Sequence, residues 1–122
     1  VHKLLISLVL AVPLAAQTAP PVAPQSAPEA PNVPLLAQVL DRCMATYAVR
    51  LTKTDMADEA IFAEAVKGCA GIDQQLRAGV RDQLPAAEAE ALFRQFDASQ
   101  RPNFMAILQR IRADRAARAN PN

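Results

Sequence analysis

Two cysteines, Cys43 and Cys69, sit on the apolar stripes of two successive helical patterns, and they restrict the folds open to this chain more than any other feature. The first stripe is Leu36, Leu40, Cys43, Tyr47 and Leu51, at spacings of four, three, four and four, with Val39 beside it. Apolar residues three and four apart share one face of a 3.6-residue helix. The second stripe is Ile61, Phe62, Ala65, Val66 and Cys69. Bridging the sulfurs requires Cα atoms within about 7 Å. A tight turn at Lys53 sets Cys43 level with Ala63 and leaves Cys69 about 9 Å too far along at about 1.5 Å per residue. A bridge therefore calls for a longer connection, from about Thr52 to Ala57, or for helices that cross steeply.

The remaining chain continues in the same period. Asn32 or Val33 should precede the first turn, with Pro34 inside it, where a missing N–H costs nothing. Gly68 and Gly71 can take the left-handed conformation that closes a helix. Asp73 is expected to cap a third helix with Leu76, Val80 and Leu84 on its apolar edge. Pro85 starts a fourth, in which Ala89, Leu92, Phe93 and Phe96 share a face. Residues 97–101 read as a loop, and Pro102 as the opening of a fifth helix carrying Phe104, Ile107, Leu108 and Ile111. No stretch alternates apolar and polar residues as a strand does. The expected fold is all-α, a small bundle of four to five short helices over residues 34–118, with residues 119–122 as a disordered tail.

The N-terminal third has a different composition. Lys3 supplies charge and residues 4–16 form an uncharged apolar run broken by Pro13, ending in Leu14-Ala15-Ala16. A basic start, a short apolar core and a small-residue exit are the requirements of a secretory signal peptide. The run is shorter than the roughly 20 residues that span a bilayer. Residues 1–16 are read as the signal, with cleavage between Ala16 and Gln17; a retained leader acting as an anchor is the alternative. Residues 17–33 hold Pro20, Pro21, Pro24, Pro28 and Pro31 among Ala, Gln and Ser, and read as a disordered, extended linker. A proline-rich docking ligand is the sharper alternative, without flanking basic residues to favour it.

Composition excludes several activities. Of 13 Lys and Arg, Lys3 leaves with the signal, so 12 face 12 Asp and Glu and the mature chain is formally neutral. Such a chain gains nothing from long-range attraction to nucleic acid, which is not expected as a partner. The one histidine is His2, inside the signal, so the mature chain lacks the commonest general base and metal ligand. Ser-His and Cys-His relays cannot be assembled. Tyr47 is the single tyrosine and there is no tryptophan. No enzyme activity, cofactor or metal is expected.

In an exported chain an even cysteine count reads first as a disulfide, here Cys43–Cys69. A thiol-redox pair is the alternative, with Arg42 and Lys67 as nearby basic residues; two thiols without histidine make only half of a tetrahedral metal site. Charge is uneven as well. Asp55, Asp58, Glu59, Glu64 and Asp73 gather in the second helical region, and Arg101, Arg110, Arg112, Arg115 and Arg118 towards the end. Dipole compensation at helix ends accounts for both. Arg110, Arg112, Arg115 and Arg118 could also contact an anionic membrane surface, or the acidic helix of a neighbouring copy.

From Cys43 through Asp55–Ala65 (DMADEAIFAEA) to Cys69, over roughly residues 36–72, the chain resembles small secreted two-cysteine helical proteins of Gram-negative bacteria. The resemblance implies export and a disulfide hairpin, and transfers no functional residue. The reading is of a periplasmic or secreted, disulfide-stapled helical protein acting by binding or as an envelope component. A membrane-associated protein and a thiol-redox factor are the alternatives.

Overall fold

The computed structural model describes residues 32–120. The leader at 1–16, the cleavage point between Ala16 and Gln17, most of the proline-rich segment and residues 121–122 lie outside them. The described residues are all-α, in four helices with no strand. Helix α1 spans Val33–Leu51, α2 Asp58–Gly68, α3 Ala70–Gln83 and α4 Ala86–Ala119.

Local chemistry sets most of the boundaries. Asn32 caps α1, its Oδ1 accepting the Leu35 amide at 3.0 Å, with Pro34 in the first turn. At the other end the Thr52 hydroxyl donates back to the Ala48 carbonyl at 2.7 Å, and the Thr54 hydroxyl to Leu51 at 2.6 Å. The connection thus runs from Thr52 to Ala57, the length that a bridge between these cysteines calls for. Asp58 and Glu59 then lie in the first turn of α2, at the positive end of its dipole. Leu84 is extended (φ −121°, ψ 149°) because Pro85 follows it, which stops α3.

The Cys43–Cys69 disulfide joins α1 to the α2–α3 junction, with Cα atoms 6.0 Å apart. Cys69 is 1 % exposed and belongs to the core, with Leu40, Met44, Ile61, Phe93, Phe104 and Leu108 among its members. Each of the four helices packs against the other three, α1 most extensively. Phe62 of α2 meets Phe104 of α4 with ring centres 5.4 Å apart.

Three local expectations are corrected. First, the anticipated loop at residues 97–101 is helical, and Pro102 lies inside α4 instead of opening a fifth helix. The bundle therefore has four helices, one of them 34 residues long. Anchors on both sides of the proline override its local preference: Phe93 and Phe96 are held by Arg77 of α3, and Phe104 by Phe62 of α2. Second, neither Gly68 nor Gly71 has a positive φ. Gly68 instead lets Tyr47 of α1 approach, since a Cβ there would overlap the tyrosine ring and hydroxyl. Third, α3 begins at Ala70, before Asp73, because Ile72 already packs on the core and the Asp73 amide bonds to the Cys69 carbonyl at 3.1 Å.

Candidate binding groove

A groove of about 450 Å³ runs between α1 and α4. Leu40 and Met44 of α1 face Phe96, Phe104 and Ile107 of α4 along its floor. Asp41, Ser99, Gln100 and Asn103 supply polar groups at its rim. Its lining mixes apolar and polar side chains and lies half open to solvent, a form that can receive a small amphipathic ligand. The helical register delivers these residues: Leu40 and Met44 are four apart, as are Phe96 and Gln100. Pro102 lies next to this stretch of α4 and outside the lining. It has no N–H, so the Ala98 carbonyl, one residue before Ser99, receives no helical hydrogen bond from position 102. The Ser99 hydroxyl is committed to the Phe96 carbonyl at 3.0 Å.

A smaller recess of about 200 Å³ shares Leu40, Met44 and Gln100 with the groove and reaches Arg77. The Arg77 guanidinium donates from Nε to Asp73 Oδ2 at 2.9 Å and from Nη2 to Asp97 Oδ1 at 2.5 Å. It also lies over Phe93 at 5.1 Å and Phe96 at 5.4 Å. The hydrogen bond to Asp97 raises its pKa above the ordinary arginine value; burial opposes this, and Asp73 reinforces it. Asp73 Oδ1 is buried and has no hydrogen-bond partner. Beyond Arg77 lies an apolar cavity of about 180 Å³ lined by Val33, Ala37, Leu76, Val80 and Leu92 among others. Arg77 is thus a fixed, fully protonated clamp between two recesses. It can order a ligand or hold helices together, and it cannot exchange a proton near neutral pH.

The two cysteines come together as a bond. The four C-terminal arginines separate into two pairs. Arg112 meets Asp58 of α2 at 2.5 Å, and Arg115 donates to Thr52 Oγ1 at 2.5 Å and to the Val49 carbonyl at 2.7 Å. Arg101 pairs with Glu59. The acidic start of α2 and the basic end of α4 therefore meet within one chain. Arg110 and Arg118 are exposed. No helix among the described residues is long and apolar enough to cross a membrane.

Sequence reading missed the groove and the Arg77 clamp. The Asp73–Arg77 spacing of four was a usable signal for one half of the clamp. Asp97 lies twenty residues further on, where helical periodicity says nothing. No family model, curated protein or solved structure matches the chain.

Proposed function

We propose that this is an exported, disulfide-stapled helical module that acts by binding, with the α1–α4 groove as its ligand site and no catalysis of its own. The observation that carries the reading is the Cys43–Cys69 bond, whose Cys69 half is sealed in the core. Disulfides persist in oxidising compartments, which agrees with the signal-like residues 1–16. A redox-active pair exposes a sulfur of lowered pKa to its partner, and burial of Cys69 supports the structural role instead. The resemblance to secreted two-cysteine proteins points the same way. The groove suits a small ligand with an apolar body for Phe96 and Ile107, its half-buried apolar lining, and a polar end for Asp41, Gln100 or Asn103.

Mass spectrometry of protein from its native host tests the export half. A mature N-terminus at Gln17, with cysteines that alkylate only after reduction, is the expected result. A full-length chain with alkylatable cysteines contradicts it. The binding half is tested by amide NMR during titration with apolar small molecules. Shifts should cluster at residues 40–45 and 96–107, and shifts scattered over the surface would exclude the groove.

A further inference from the structure

Helix α1 packs on every other helix yet leaves one face outward. At about 100° per residue, Leu35, Val39, Arg42, Val49 and Arg50 fall within roughly 60° of a single line along this helix, and Lys53 follows in the turn just past its C-cap, Thr52. The three apolar members are 54 %, 36 % and 46 % exposed, half of the large apolar side chains exposed among the described residues. The three basic members are every cation between residues 32 and 53. Arg50 lies over the Tyr47 ring, 4.6 Å from its centre. The single acidic residue of α1, Asp41, turns into the α1–α4 groove instead. A shallow depression on the outward face is lined by Arg42, Val49, Arg50 and Lys53, with no carboxylate. Arg115, held by Thr52 and the Val49 carbonyl, adds a fourth positive charge at the end of this line.

Dipole compensation accounts for Arg50 and Lys53 at the C-terminus of α1. It accounts neither for Arg42 in mid-helix nor for the exposed Leu35, Val39 and Val49. Apolar and basic side chains intermingle here along about 27 Å of exposed helix face, from Leu35 to Lys53. An exposed helix face with only a shallow depression fits a soft, flat surface better than it fits the deep acidic groove that a protein partner would have to supply. Phosphates of the right sign at the level of the cations, with hydrocarbon just beneath, match both residue types.

We propose that the outward face of α1 docks along an anionic phospholipid bilayer, with Leu35, Val39 and Val49 entering the headgroup boundary and Arg42, Arg50 and Lys53 meeting phosphates. This contact is independent of the α1–α4 groove, which opens on the flank of the same helix. It places the basic contact on α1, whereas Arg112 is engaged by Asp58.

Co-sedimentation of the oxidised mature chain, beginning at Gln17 so that the apolar run 4–16 adds no membrane affinity of its own, with vesicles tests it. One set is phosphatidylcholine alone and the other is phosphatidylcholine and phosphatidylglycerol in equal parts. The protein should bind the anionic vesicles more tightly, and the triple variant R42Q/K53Q/R50Q should lose about fivefold in affinity per cation. A control of equal charge, K67Q/R94Q/R110Q, should lose far less. All six positions are exposed, so circular dichroism should show unchanged helicity in both variants. The chain has no tryptophan, so V49W reports insertion directly, and its emission should shift to the blue on anionic vesicles. Equal binding to both vesicle sets, equal losses in the two triple variants, or unshifted V49W emission would each overturn the proposal.

Discussion

Gly68 shows how one missing methyl group governs the packing of two helices. The Tyr47 ring occupies the space a Cβ would need, one turn along α1 from Cys43, and Gly68 directly precedes Cys69. That close approach lies beside the Cys43–Cys69 bridge. Gly68→Ala sets two effects against each other. Better helix propensity contributes about 0.5–1 kcal/mol, while displacing the tyrosine costs about 1–3 kcal/mol. Denaturant unfolding should show net destabilisation in the native background. In a Tyr47→Ala background only the propensity gain remains, so Gly68→Ala should become stabilising; an unchanged sign would mean that the tyrosine contact is not what requires glycine. Arg77 is the second such residue. Removing it leaves Asp73, one of whose oxygens is already unpartnered, without its charge-assisted bond, so Arg77→Ala should cost about 2–3 kcal/mol. Lysine keeps the charge but not the planar fork that serves two carboxylates and two rings, and Arg77→Lys should recover little of the loss. The pH behaviour follows from the raised pKa. A group held protonated by folding contributes fully below its unfolded pKa and loses that contribution only as pH rises through the folded value. Arginine's own contribution should therefore stay level across the neutral and mildly alkaline range, which urea midpoints of the native and Arg77→Ala proteins can check by remaining a constant distance apart.

At the scale of elements, α4 departs furthest from local preference. A proline in a helix interior costs about 3 kcal/mol through the lost hydrogen bond and the clash with the carbonyl four residues back. Pro102 is exposed, so no core contact depends on its ring. Replacing it by alanine gives the Ala98 carbonyl a donor, although the unfolded chain also gains freedom worth about 0.4–1 kcal/mol. The balance favours the variant, and Pro102→Ala should raise Tm. A lower Tm would show that the local geometry around the proline is needed to seat Phe96 and Phe104 together. The same helix marks the limit of what periodicity reveals. The stripes of α1 and α2, the proline-set break between α3 and α4, and the Thr52–Ala57 connection were legible, because spacing, capping and bridge geometry act over a few residues. The continuity of α4 was not. It depends on Arg77 and Phe62 gripping it from other helices, and those contacts span 16 to 42 residues of sequence. The groove was illegible for the same reason, since its two walls come from α1 and α4. Four of its five floor residues, Leu40, Phe96, Phe104 and Ile107, looked like ordinary stripe members.

Every helix packs on the three others, α1 most extensively, with the disulfide holding α1 to the α2–α3 junction. The ion pairs from α4 to α2 are roughly half-exposed, Arg112–Asp58 at 45 % and 44 %, and such pairs contribute little on their own. Cohesion therefore falls to the shared core and the bridge. The sulfurs are separated by 26 residues, and closing a loop of that size removes about 3.5 kcal/mol of unfolded-state entropy. A small domain typically holds about 5 kcal/mol in total, so reduction should bring this one close to its unfolding transition at room temperature. Because Cys69 lies inside the common core, the loss should not stay local to α1 and α2. Native-state hydrogen exchange of the oxidised protein should show one shared opening free energy for the core amides around Met44, Ile61, Val80 and Leu108. After reduction all four regions should drop together by about the same 3.5 kcal/mol. The exposed last turn of α4, residues 116–119, should exchange rapidly in both forms. If α3 and α4 kept their protection while α1 and α2 lost theirs, the bridge would be securing a hairpin against an independently stable pair, and the single cooperative core would be refuted.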